Sequence, residues 1–192
     1  MHGEMSITLK GVKGKLPIFL ELSLRERLST FIYGLPGSGK TIVASAIALE
    51  ALRLGLNPLY IYVGSHNSPL SDVDSVEAFT MDDILGKVLA AAFKGRYVIV
   101  DPINSLYSSD PKLASTVVPA IMSLLRRVGG LTIGVVREFG GSLSTPGHRL
   151  IFAYTHVIAY TSKEGDSFRL RFVKPGSRVA AFRLRGGMLE WL

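Results

Sequence analysis

Residues 34 to 41 read G-L-P-G-S-G-K-T and fit the pattern G-x-x-x-x-G-K-[ST] at every fixed position. The chemistry that needs this spacing is the cradling of a phosphate chain. Gly34, Leu35, Pro36, Gly37, Ser38 and Gly39 supply a backbone that wraps around phosphates with its N–H groups turned inward. A helix opening immediately afterwards adds a field that favours negative charge at its N-terminus. Lys40 stands where an ammonium reaches the β- and γ-phosphates, and Thr41 where a hydroxyl meets Mg2+. Farther along, Asp101 closes the run "YVIVD", four apolar or aromatic residues and then an acid. A carboxylate at the C-terminal end of a buried strand is the second component of such a site, where it helps to hold the magnesium shell. ATP and Mg2+ are therefore the expected ligands.

These residues need particular elements to position them. "LSTFIY" (28–33) predicts a strand entering the loop, and "GKTIVASAIALEALRLG" (39–55) a helix leaving it and stopping at Gly55. "PLYIYV" (58–63), "RYVIVD" (96–101) and "LTIGVV" (131–136) are continuous apolar runs of the buried-strand type. "MDDILGKVLAAAF" (81–93) and "KLASTVVPAIMSLLRRVGG" (112–130) predict helices between them, the second kinked at Pro119. Strands that alternate with helices in this way imply a parallel sheet covered on both faces. From about residue 155 the pattern changes to antiparallel hairpins, with turns at 164–166 and at Gly186-Gly187.

Composition narrows the class. Apolar residues make up 47% of 192, enough for a substantial core, and no apolar run is long enough to span a membrane. A soluble, cytoplasmic protein is expected. Cysteine and glutamine are absent, and only three asparagines occur, a depletion of thermolabile side chains that points to a hyperthermophile. The net charge of +7 is unevenly placed. Residues 1–122 hold 11 basic and 11 acidic side chains, whereas residues 123–192 hold 11 basic and 4 acidic. A one-sided basic excess suggests a polyanionic partner, and the plainer alternative is a solvated basic surface.

With both phosphate-site motifs in place, the chain resembles the RecA/RadA recombinase ATPase core, specifically the archaeal RadA paralogues. "LYSSDPKLASTVVPAIMSLLRRVGGLTIGVVRE" is similar to the helix and strand that follow the second motif in that family. "GHRLIFAYTHVIAY" (147–160) is similar to its segment after the second DNA loop, and "VKPGSRVAAFRL" to its late strands. The resemblance implies a P-loop NTPase with a RecA-like parallel sheet, flanking helices and C-terminal antiparallel hairpins. It implies a single core domain over 1–192, with 1–27 as an N-terminal extension. It also implies ATP hydrolysis, binding of single-stranded DNA, a recombinase or repair-protein partner, homo-oligomers, and a role in homologous recombination or DNA repair.

The departures from the family matter. Its members carry a water-activating Glu just after the strand represented here by "LYIYV", but this chain has Gly64 or Ser65 there. His66 reads as a surface residue. Glu138 is the first candidate to stand in, and Asp72, Asp74 and Glu77 are others, so a weak ATPase is expected. Arg137 either senses the γ-phosphate or pairs with Glu138. "REFGGSLSTPG" (137–147) takes the place of the second DNA loop, with Phe139 its only aromatic. Arg149, Arg169, Arg171, Arg183 and Arg185 are the candidate nucleic-acid contacts. Lys174 and Arg178 are alternatives for reaching a neighbouring subunit's nucleotide. The competing reading is a KaiC-like signalling ATPase whose nucleotide state controls a protein partner. A small-molecule kinase fits poorly, because the chain ends in hairpins and lacks an arginine-rich lid.

Overall fold

A computed structural model of the chain describes residues 9–64, 70–103, 110–139, 142–144 and 148–192, with backbone alone for 137–139, 142–144 and 148. The first half runs β1 (Gly11–Lys13), α1 (Ile18–Arg25), β2 (Ser29–Gly34), α2 (Lys40–Arg53), β3 (Leu59–Val63), β4 (Asp74–Ala78), α3 (Met81–Phe93) and β5 (Val98–Asp101). The second half runs α4 (Pro111–Val128), β6 (Gly130–Val135), β7 (Arg137–Phe139), β8 (Ser142–Ser144), α5 (His148–Tyr154), β9 (Val157–Glu164), β10 (Ser167–Lys174), β11 (Val179–Arg185) and β12 (Met188–Trp191).

The architecture is α/β, built on a ten-stranded mixed sheet in the order β1-β12-β11-β10-β9-β2-β6-β5-β3-β4. From β9 to β4 the neighbours are parallel. β9 to β12 are joined as antiparallel hairpins, and β1 closes the edge in parallel with β12. Successive strand residues face opposite sides, so each central strand feeds two cores. Ile32, Tyr60, Ile99, Ile133 and Leu170 face the side that α1 and α2 cover. Phe31, Ile61, Val98, Val100 and Ile158 face the side that α3, α4 and α5 cover. This double coverage explains why the central strands read as unbroken apolar runs.

Among the described residues, two helices start on side-chain caps. The Thr80 hydroxyl accepts the Asp83 N–H ahead of α3, and the Asp110 carboxylate accepts the Leu113 N–H ahead of α4. α4 runs unbroken from Pro111 to Val128 with Pro119 inside it.

Residues 9–27 are not an appendage. β1 lengthens the sheet, and α1 buries Leu20 and Leu24 completely in the first core. Within "IFLELSLR", Leu20 and Leu24 lie four residues apart on the helical face turned to the sheet, while Ile18 and Leu22 are exposed. Among the described residues, no helix is long and apolar enough to cross a membrane.

Candidate functional site

The loop between β2 and α2 is held by close contacts that only glycine permits. A Cβ on Gly34 would lie 2.5 Å from both the carbonyl and the hydroxyl oxygen of Thr161 on β9, and 2.6 Å from the Ser38 hydroxyl. The Ser38 and Thr161 hydroxyls are themselves hydrogen-bonded at 2.7 Å. Gly39 precedes α2 with φ +86, and a Cβ there would stand 2.9 Å from the ring of Phe168 and 3.0 Å from that of Phe182. Those two rings stack at 5.0 Å, so the C-terminal hairpins form the floor under the loop. Lys40, the first residue of α2, is buried, with its ammonium donating to the Leu35 carbonyl at 2.6 Å and lying 3.5 Å from the Ser38 hydroxyl.

Asp101 ends β5 beside this loop. Thr41 donates from Oγ1 to Asp101 Oδ2 at 2.8 Å, and the Tyr60 phenol donates to the same oxygen at 2.6 Å. Burial, and then the charge of Asp101, push the Tyr60 phenol well above its ordinary pKa, so it remains a donor. The Ser45 hydroxyl donates to the Thr41 carbonyl at 2.7 Å. Two strands and the first turns of α2 thus meet at one carboxylate.

The donor set fits a magnesium–nucleotide pair. Magnesium prefers hard oxygens and is commonly bound through one or two protein groups plus phosphates. Thr41 and Asp101 are such groups, and Lys40 supplies a cation within a glycine-lined cradle. Among the described residues, no cluster of three or more His, Asp or Glu offers an all-protein metal cage.

The other carboxylates named from the sequence are dispersed. Asp72 is exposed and accepts a hydrogen bond from Ser71, while Asp74 pairs with Arg96 at 2.8 Å at the start of β4. Glu77 is in register with Tyr62, and Tyr62 with Asp101, so Glu77 shares the face of Asp101 two strands away. Gly64 follows β3 with φ +87 and has open space around it. Ser65 and His66 lie outside the described residues. Arg137, Glu138 and Phe139 form β7, which pairs with β8 as a two-stranded ribbon within the 137–147 segment. Their side chains lie outside the description.

The candidate nucleic-acid arginines do come together. Register places Arg169, Arg171, Arg183 and Arg185 on one face of the hairpins, the face opposite that covered by α1 and α2. Arg149 is exposed on α5, and α5 packs on that same side. Arg171 lies over the Tyr160 ring at 5.6 Å. Arg169 pairs with Glu164 at 2.8 Å and Arg183 with Glu190 at 2.6 Å. Lys163, Arg183 and Arg185 border an open depression of about 560 Å3 at the hairpin end nearest the loop. Lys174 donates to the Thr155 carbonyl at the opposite end of the sheet, and Arg178 lies over Phe19. A second depression of about 600 Å3, lined by Arg27, Arg126, Arg127 and His156, also belongs to that far end.

Sequence reasoning missed Tyr60. A tyrosine within a buried apolar run reads as core, and nothing in its spacing marks the bond to Asp101. No protein-family model matches this chain, and no curated protein matches it.

Proposed function

We propose that this chain is a RecA-like P-loop protein that binds Mg-ATP, hydrolyses it slowly and engages single-stranded DNA in recombination or repair. One observation carries the first part. Thr41 and Asp101, far apart in sequence, meet through a 2.8 Å hydrogen bond beside the loop whose Lys40 opens α2. That pairing is what a magnesium–nucleotide site requires of its protein side. Bound Mg-ATP would supply the polarised γ-phosphate. The chain's own residues bind and orient it: backbone N–H groups of the loop and the Lys40 ammonium neutralise charge, and Thr41 and Asp101 fix the metal side.

Slow turnover follows from what stands after β3. Gly64 offers no side chain there, and a positioned general base is worth about 10²- to 10⁴-fold. Ground-state binding does not depend on such a base, so affinity and turnover separate. The DNA part is supported by the arginine face, which brings five cations to one side of the sheet. The ion pairs of Arg169 and Arg183 favour a second reading, a signalling ATPase that uses this face as an ordinary solvated surface.

The test is ATP turnover with and without single-stranded DNA, at low and high salt, with Lys40→Ala as the blank. The proposal expects slow turnover that depends on Lys40, and DNA binding that weakens steeply with salt. Absence of DNA binding at low salt, with nucleotide binding intact, transfers the proposal to the signalling reading.

A further inference from the structure

We infer that Tyr60 is a positioning residue for Asp101, and that its phenol hydroxyl sets the strength with which magnesium couples to the nucleotide at this site. The inference rests on the reading of Asp101 as part of a magnesium–nucleotide site. Its own basis is geometric. Tyr60 is fully enclosed, and its hydroxyl donates to Asp101 Oδ2 at 2.6 Å. The Thr41 hydroxyl donates to the same oxygen at 2.8 Å. Two donors from different elements converging on one oxygen restrict rotation of the carboxylate about its χ angles. The result is one carboxylate on β5 tied both to β3 and to the first turn of α2.

A purely structural role is the competing account, since a buried phenol also needs a partner for its own sake. The two differ in what they predict. A positioning residue acts on the metal-dependent part of nucleotide affinity, because outer-shell partners that orient a ligand are worth about 10- to 100-fold in metal affinity. A structural residue acts on stability and on all binding alike.

The experiment titrates a fluorescent ATP analogue into wild type, Tyr60→Phe and Asp101→Asn, once in magnesium and once in EDTA. Tyr60→Phe keeps the ring and removes only the hydroxyl. The expected result is unchanged affinity in EDTA, with the gain on adding magnesium cut about tenfold, and a similar cut in Asp101→Asn. A magnesium gain equal to wild type overturns the inference. An equal loss in magnesium and in EDTA overturns it too, in favour of the structural account. A wild type that binds the analogue equally well with and without magnesium sinks the reading of Asp101 instead, which keeps the two failures distinct.

Should Tyr60→Phe not fold, 3-fluorotyrosine incorporated at position 60 keeps the hydroxyl and reports from the site itself. Its fluorine resonance should move when magnesium is added to the nucleotide-bound protein. A resonance that stays in place while magnesium tightens the nucleotide contradicts the inference.

Discussion

Lys40 and Gly34 show how much of the site depends on single atoms. The Lys40 ammonium is buried and turned onto a loop carbonyl, so its charge is already held within the cradle before any anion arrives. At Gly34 the limit is space. A methyl group would strike a backbone oxygen of β9, which cannot swing aside as a side chain does. Gly34→Ala should therefore cost about 1–3 kcal/mol, as overpacking does, and should displace the loop. Gly37→Ala meets nothing within 4 Å and pays only for its φ of +73, about 1 kcal/mol. Thermal unfolding of the two variants checks this: Gly34→Ala should melt lower and lose more nucleotide affinity. The residues of this loop were legible in the sequence because their constraint is local and each glycine has a fixed offset. Tyr60 was not legible, since its role depends on the register of β3 against β5, which no local pattern carries. Gly64 illustrates the same limit. Its place after β3 was readable, but its left-handed backbone was not, and that φ strains any carboxylate installed there by Gly64→Glu.

Among the elements, α1 and the hairpins carry the clearest consequences. Leu24 is completely buried against the sheet, so Leu24→Ala should cost about 2–5 kcal/mol. Chemical denaturation would detect that loss, whereas a detached extension would tolerate the change. Little in the sequence marks α1, because the helix is short, has no side-chain cap, and carries exposed Ile18 and Leu22 that blur its apolar face. β4 is hidden for a different reason: "DSVEA" is a short, half-exposed edge strand and lacks the apolar run of its neighbours. The central strands are legible because they are buried on both faces. The hairpins are legible because one face is buried and the other is not, so their side chains alternate. That alternation places arginines on a common face, but it cannot show which of them already hold a carboxylate. Arg171 and Arg185 take no part in the ion pairs of Arg169 and Arg183. Reversing both with Arg171→Glu and Arg185→Glu should weaken single-strand binding at low salt and flatten its salt slope, each lost phosphate contact removing about 0.7 from the slope. Binding isotherms at several salt concentrations read this directly, and an unchanged slope removes these residues from the interface.

At the scale of the whole molecule, one sheet connects the loop to the arginine face. Phe168 and Phe182 lie under Gly39 on one side, while their neighbours Arg169 and Arg183 emerge on the other. The basic excess of the last third is thus concentrated on the hairpins that also support the loop from Gly34 to Lys40. Binding and turnover should separate: wild type should bind Mg-ATP well yet turn it over far below the roughly 10 s⁻¹ typical of enzymes. Steady-state phosphate release checks the second half. Fast release would mean that another residue supplies the base, and Glu138→Gln and then Glu77→Gln would test the first two candidates.

A magnesium–nucleotide site built from the loop Gly34 to Thr41 and Asp101 must lose affinity when its lysine is removed. Equilibrium titration of wild type and Lys40→Ala with ATP in the presence of magnesium tests it most directly, provided both proteins unfold at the same temperature. Saturable binding by wild type is expected, with a loss of about 100-fold or more in Lys40→Ala, equivalent to roughly 2.8 kcal/mol. Equal affinity in the two proteins, or no binding by the wild type, would contradict it.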